Sequence, residues 1–144
     1  RKLDVSVNET FYVNVTYRIG IRELYTMFSL GYSPGRDDNN TGLGFGIGTG
    51  RDFGKRSGIE LELHSYEVSH YLWMNEDNSL YTIRMHYIHT LGRHFALYAG
   101  PSYNFMHAAS VSDADDVSPS WASNHYTSSY NWSSWIGFNA GVRF

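Results

Sequence analysis

From Leu43 the chain reads Leu, Gly, Phe, Gly, Ile, Gly, Thr, Gly, an unbroken alternation over eight residues. A helix would have to absorb four glycines, each about 1 kcal/mol worse than alanine. An extended strand instead puts Leu43, Phe45, Ile47 and Thr49 on one face and Gly44, Gly46, Gly48 and Gly50 on the other. The segment is therefore a strand with one apolar face and one face that is bare.

The same period of two recurs along the chain. Phe11, Val13, Val15, Tyr17 and Ile19 alternate with Tyr12, Asn14, Thr16 and Arg18, and Leu24, Thr26, Phe28, Leu30 and Tyr32 with Tyr25, Met27, Ser29 and Gly31. Ile59, Leu61 and Leu63 stand opposite Glu60, Glu62 and His64; Tyr81, Ile83, Met85 and Tyr87 stand opposite Thr82, Arg84 and His86. Leu97, Ala99, Pro101, Tyr103 and Phe105 face away from Tyr98, Gly100, Ser102 and Asn104. The last run sets Ile136, Phe138, Ala140, Val142 and Phe144 against Trp135, Gly137, Asn139, Gly141 and Arg143. Leu3, Val5 and Val7 form a further short strand or extend the one that follows. The connections differ in length: 54–58 and 91–94 are tight and contain glycine, whereas 33–41, 73–79 and 108–133 are longer and polar. In an antiparallel meander the long ones fall at one end and the short ones at the other.

Composition narrows the setting. The chain has 144 residues, which argues for one domain, and no cysteine, which removes disulfides, thiolate metal sites and cysteine nucleophiles. A net charge of −3 supplies no basic field for nucleic acid. Aromatics make up 17% of the residues, too many for a disordered chain. No apolar run reaches the roughly 18 residues of a membrane helix.

The two faces of the strands decide the class. A water-facing surface has little reason to alternate glycines with Tyr12, Tyr25, Tyr98 and Trp135, but a narrow filled lumen does, because small residues make room for bulky ones across it. The apolar faces carry no charge in their central portions; Arg51 and Glu67 come only toward strand ends. Aromatics gather near both ends, with Tyr17, Phe53, Phe95 and Phe144 by the short turns and Tyr32, Tyr71, Trp73, Tyr81, Tyr103 and Phe105 by the long connections. Two aromatic girdles flanking an apolar band mark a wall that faces lipid. On these residues the chain resembles the small bacterial outer-membrane β-barrels of the OmpA and OmpX kind, over nearly its whole length. The terminus Ile136 to Phe144 is similar to the assembly signal of that family. The resemblance implies that Phe138, Val142 and Phe144 are read by the outer-membrane insertion machinery, and that the barrel lies in bacterial outer-membrane lipid and lipopolysaccharide.

The expectation is therefore an all-β protein, an antiparallel up-and-down transmembrane β-barrel of eight strands, with residues 1–144 as a single domain, alone or as the tail of a longer protein. Seven strands are evident and a closed barrel needs an even number. Either residues 2–8 supply the eighth, or the stretch 1–18 is misread, or the chain is one component of a larger barrel. Apolar parity also switches between Leu63 and Tyr66. A β-bulge near 64–66 would turn Glu67 inward; alternatively, residues past 66 stand above the bilayer.

Candidate chemistry concentrates inside. Glu60, Glu62 and His64 should face the lumen beside Arg84 and His86 of the neighbouring strand, with Arg18 and Arg143 arriving from elsewhere. Enclosed carboxylates and guanidiniums must pair, so the set reads as a salt-bridged plug in preference to a proton path or an acid–base site. None of the seven histidines forms an HxH or HExxH pair, and the acidic cluster at 113–116 lacks the EF-hand pattern, so no metal and no cofactor is expected. Tyr126, Tyr130 and Trp132 alternate and extend the last strand; with the 108–133 loop they are the candidate surface for a protein partner. Taken together these features point to a non-catalytic outer-membrane anchor, a presenter of surface loops or an accessory subunit of a larger complex. Two alternatives stand: an enzyme of outer-leaflet lipid such as lipid A, using His107 or His125, and a soluble lipocalin-like barrel with a ligand inside.

Overall fold

The computed structural model describes residues 1–34, 39–69, 78–108, 118–126 and 131–144. These form nine strands and no helix: β1 (Lys2–Asn8), β2 (Val13–Ile21), β3 (Leu24–Pro34), β4 (Asn39–Asp52), β5 (Ser57–Ser69), β6 (Ser79–Thr90), β7 (Ala96–Ala108), β8 (Ser123–Tyr126) and β9 (Asn131–Arg143). Each of β1 to β6 pairs antiparallel with the next, β7 pairs with β9, and β9 returns to β1. Eight strands thus close a barrel, while β8 is a short outrigger on the upper edge of β9.

Residues 2–8 supply the eighth strand. They pair with β2 from Lys2 opposite Arg18 to Ser6 opposite Asn14, and with β9 from Asp4 opposite Arg143 to Asn8 opposite Asn139. Closure leaves no free sheet edge through the body of the barrel, which the backbone requires wherever water cannot satisfy it.

The wall is apolar outside and encloses a charged cluster. Phe45 and Ile83 are 52% and 47% exposed, whereas Glu62 and Arg84 are 1% and 3% exposed. Outward aromatics pair near both ends, with Phe95 on Phe144 and Phe53 on Tyr87 by the short turns, and Tyr81 on Phe105 on Trp132 at the other end. Tyr71 and Trp73 lie outside the described residues.

The interior has two unlike halves. Toward the long connections it is an apolar core of Phe11, Tyr66, Val68, Leu80, Met106, Ala108 and Trp135. Toward the chain termini it holds the charged residues. That change of lining explains the parity switch in β5. The β4–β5 register runs without interruption from Thr41 opposite Ser69 to Asp52 opposite Gly58, so of the two readings of the switch the bulge is absent. Tyr66 and Val68 follow Glu60, Glu62 and His64 on the same inward face, and Glu67 points outward and is exposed.

The bare face of β4 is the floor on which the lumen rings lie. A Cβ added at Gly44 would stand 2.4 Å from the Tyr66 ring, at Gly48 2.4 Å from Tyr25, and at Gly42 2.4 Å from Phe11. Phe11 is itself a departure from simple alternation, which placed it on the outer face. Asn8 Oδ1 accepts hydrogen bonds from the Thr10 and Phe11 amides at 2.9 and 2.6 Å. This Asx turn resets the phase, so Phe11 is fully buried on Gly31 and Gly42 while Tyr12, read as a lumen residue, is 69% exposed.

This packing makes a contrast testable. Gly44→Ala should cost about 1–3 kcal/mol by overpacking against Tyr66, whose ring is already held by Phe11 at 5.1 Å. Gly54→Ala, where no atom lies within 4 Å, should stay within about 0.5 kcal/mol. Urea unfolding followed by tryptophan fluorescence checks both.

Candidate functional site: a buried ionic clamp

Glu60, Glu62 and His64 alternate along the inner face of β5, and the register sets His86 opposite Glu60 and Arg84 opposite Glu62. Closure of the barrel brings Arg18 of β2 and Arg143 of β9 to the same level, since β1 lies between their strands. All seven residues expected in the lumen are buried, none more than 5% exposed.

Asp4 of β1, which the sequence pattern did not single out, is the hub. Arg143 Nε donates to Asp4 Oδ1 at 2.8 Å, and its Nη1 and Nη2 donate to the two Glu60 oxygens at 2.7 and 2.8 Å. Arg18 Nε donates to Asp4, Nη1 to Glu60 at 2.7 Å, and Nη2 pairs with Glu62. The Tyr25 hydroxyl lies 3.1 Å from Glu60 Oε2 and from Glu62 Oε1. Arg18 also stacks over Tyr25 and Arg143 over Tyr98, at 4.8 and 5.3 Å from the ring centroids.

Three carboxylates face the two guanidiniums of Arg18 and Arg143. His64 Nε2 lies 3.0 Å from Glu62 and His86 Nδ1 3.6 Å from it, and Arg22 reaches in from the rim to 4.0 Å from Glu60. Arg84 departs from expectation. It makes no ion pair with Glu62 and instead sets its guanidinium 5.6 Å from the centre of the Tyr66 ring.

What the cluster can do follows from its crowding. A buried ion costs several kcal/mol to desolvate unless its partners are well placed, and here both oxygens of Asp4 and of Glu60 are engaged. General acid–base work needs a substrate beside the acid. The cavity that adjoins the cluster, lined by Arg18, Tyr25, Glu60 and Arg143, measures about 40 Å³, room for only a few waters. The arrangement is a clamp joining β1, β2, β5 and β9.

A second polar lock, equally unforeseen, closes the seam above β1. That strand stops at Asn8 while β9 continues upward. Glu9 turns inward there and accepts from Asn104 Nδ2 at 2.7 Å, Trp135 Nε1 at 3.1 Å and the Phe138 amide at 2.9 Å. Trp121 Nε1 donates to the Ile136 carbonyl at 3.2 Å. A Cβ at Gly137 would sit 1.7 Å from a Glu9 oxygen, so any larger residue there would displace the Glu9 carboxylate.

The other expected residues divide. Phe138 on β9 and Phe144 just past its end are exposed, and Val142 pairs with Val5 and Leu97 on its two sides. Trp132 is the second residue of β9 and packs on Phe105 at 4.5 Å. Tyr126 does not share its strand: it lies on β8, which folds back so that Tyr126 stands opposite Asn131 and His125 opposite Trp132. Tyr130 falls outside the described residues, as do the aspartates at 113–116. His107 meets the Trp132 ring edge-on at 5.4 Å. Among the described residues no group of three or more His, Asp or Glu side chains is placed to hold a metal ion.

Glu60→Gln keeps the volume but leaves two buried guanidiniums short of a charge, so it should cost about 3–5 kcal/mol. The pair Glu60→Leu with Arg143→Met should cost less than the sum of its single changes, and a double-mutant cycle by equilibrium unfolding measures the difference.

No family model matches this chain, and neither the curated proteins nor the solved structures contain a match to it.

Proposed function

We propose that this chain is an integral barrel of a bacterial outer membrane, without catalytic activity, that serves as an anchor presenting its long-connection end or as an accessory subunit of a larger outer-membrane assembly. The observation that carries this reading is the inversion of the wall. Every barrel strand shows large apolar side chains to the outside while carboxylates, guanidiniums and imidazoles are enclosed. In water the outer face would be an apolar surface far larger than the few hundred Å² a soluble monomer exposes. In hydrocarbon the same face is the favourable one, and the strands pair with one another all the way round the closed wall.

The remaining parts take roles consistent with that setting. The outward aromatics near both ends sit at the two membrane–water interfaces. The ionic clamp and the apolar core fill the lumen, so the barrel holds its shape without forming a pore. The last strand, with Phe138, Val142 and Phe144, is the element the insertion machinery would engage. Trp121, Tyr126 and Trp132, partly exposed around β8, are the surface offered to a protein partner.

Refolded protein should insert into phosphatidylcholine vesicles and migrate as a compact species on unheated gels, changing mobility on boiling. A protein that stays folded and monomeric in buffer without detergent would sink the proposal. In planar bilayers the inserted barrel should give no single-channel steps; steady stepwise current would overturn the closed lumen.

A further inference from the structure

Two outward features meet at the short-turn end of the barrel. The first is a cleft of about 160 Å³ whose charged lining includes Arg1, Lys2, Arg93 and His94, with Phe95 and Phe144 beside them. These four side chains are exposed, Arg143, which also lines the cleft, is buried, and among the described residues no acidic side chain lines it. The second is a groove of about 580 Å³ on the outer wall, lined almost wholly by apolar atoms. Register explains its shape. Ala99 lies directly opposite Ala140, with Tyr87 on one flank and Val7 on the other, so two small side chains sit between two larger ones. Leu97 and Val142 continue the groove toward the rim, where Phe95 and Phe144 pack at 5.6 Å. At about 3.3 Å per residue, Ala140 is some 13 Å along the strand from Phe144.

A cationic cleft that opens beside an apolar groove matches a molecule with an anionic head and a hydrocarbon tail. The cleft favours a phosphodiester that carries no ammonium of its own, because a cationic headgroup would be repelled by Lys2 and Arg93. The rest of the rim reinforces the sign. Arg51, Lys55 and Arg56 are exposed at this end, and of the nearby acids Asp52 is already paired with Arg22. We propose that cleft and groove together bind one anionic glycerophospholipid, its phosphate on Lys2, Arg93 and His94 and one acyl chain along Ala99 and Ala140. This rests on the membrane reading above.

The test uses protein refolded in nonionic detergent and offered phosphatidylglycerol or phosphatidylcholine with identical chains, with retained lipid counted by native mass spectrometry. One phosphatidylglycerol should be retained in preference to phosphatidylcholine, on the order of tenfold or more given the weight of each Lys or Arg beside an anionic lipid. Lys2→Glu with Arg93→Glu should abolish the preference. Ala140→Phe, which fills the groove from outside and leaves lumen and cleft intact, should lower retention of both lipids. Equal retention of the two lipids overturns the site, as does full displacement by excess inorganic phosphate, which would mark a free-anion cleft. Failure to fold into phosphatidylcholine vesicles at all would instead overturn the membrane reading itself.

Discussion

Closure of the sheet between β1 and β9 is the constraint on which the rest of the structure depends. A barrel of eight strands has a lumen too narrow for a channel lined by large side chains, so every inward residue must find a partner there or be small. The Asp4, Arg18, Glu60 and Arg143 cluster stands across that closing seam, tying the first strand to the last and both to the far wall. Its charges are expensive to enclose and become tolerable only because the two guanidiniums bridge carboxylates from two different strands. The clamp and the closed ladder are thus mutually dependent: without closure the ions would be unpaired, and without the ions the seam would rest on a short β1.

The lumen solves its packing problem in two ways. In the half nearer the termini, carboxylates and guanidiniums pair with one another. In the other half, rings and aliphatic side chains interlock above a floor of glycines, with Tyr66 as the joint between the halves. Its hydroxyl lies 3.1 Å from Asn14 Nδ2 and 3.3 Å from His64 Nδ1, and its ring packs on Phe11. The same strand, β5, therefore changes the chemistry of its inward face without changing its parity. A polar-in rule holds for the ionic half and fails for the other.

Much of this was legible in the residues. The period of two placed Glu60, Glu62, His64, Arg84, His86, Arg18 and Arg143 inside, and Phe45, Ile83 and Phe138 outside, because strand parity is a local property of the backbone. The glycines of β4 announced bulky neighbours, and Tyr25 and Tyr66 are those neighbours. Asp4 is hard to read from the pattern because β1 is short and Leu3, Val5 and Val7 fit either a strand of their own or an extension of the next; in a strand of their own, Asp4 falls on the inner face. Phe11 was misplaced because an Asx turn at Asn8 breaks the phase over three residues. A bulge near 64–66, one of two readings of the parity switch, is needed only if an inward face stays polar along its whole length, and that of β5 does not.

The amino-acid order by itself determined which side chains would be enclosed and which displayed, since alternation needs nothing beyond one strand's own geometry. Only the tertiary structure decided who meets whom. Arg84 stands across from Glu62 in register yet turns to Tyr66, while Arg18 and Arg143, far from Glu60 in the chain, hold it. Those choices depend on the curvature of the closed wall and on where β1 enters the seam, and no single strand encodes either.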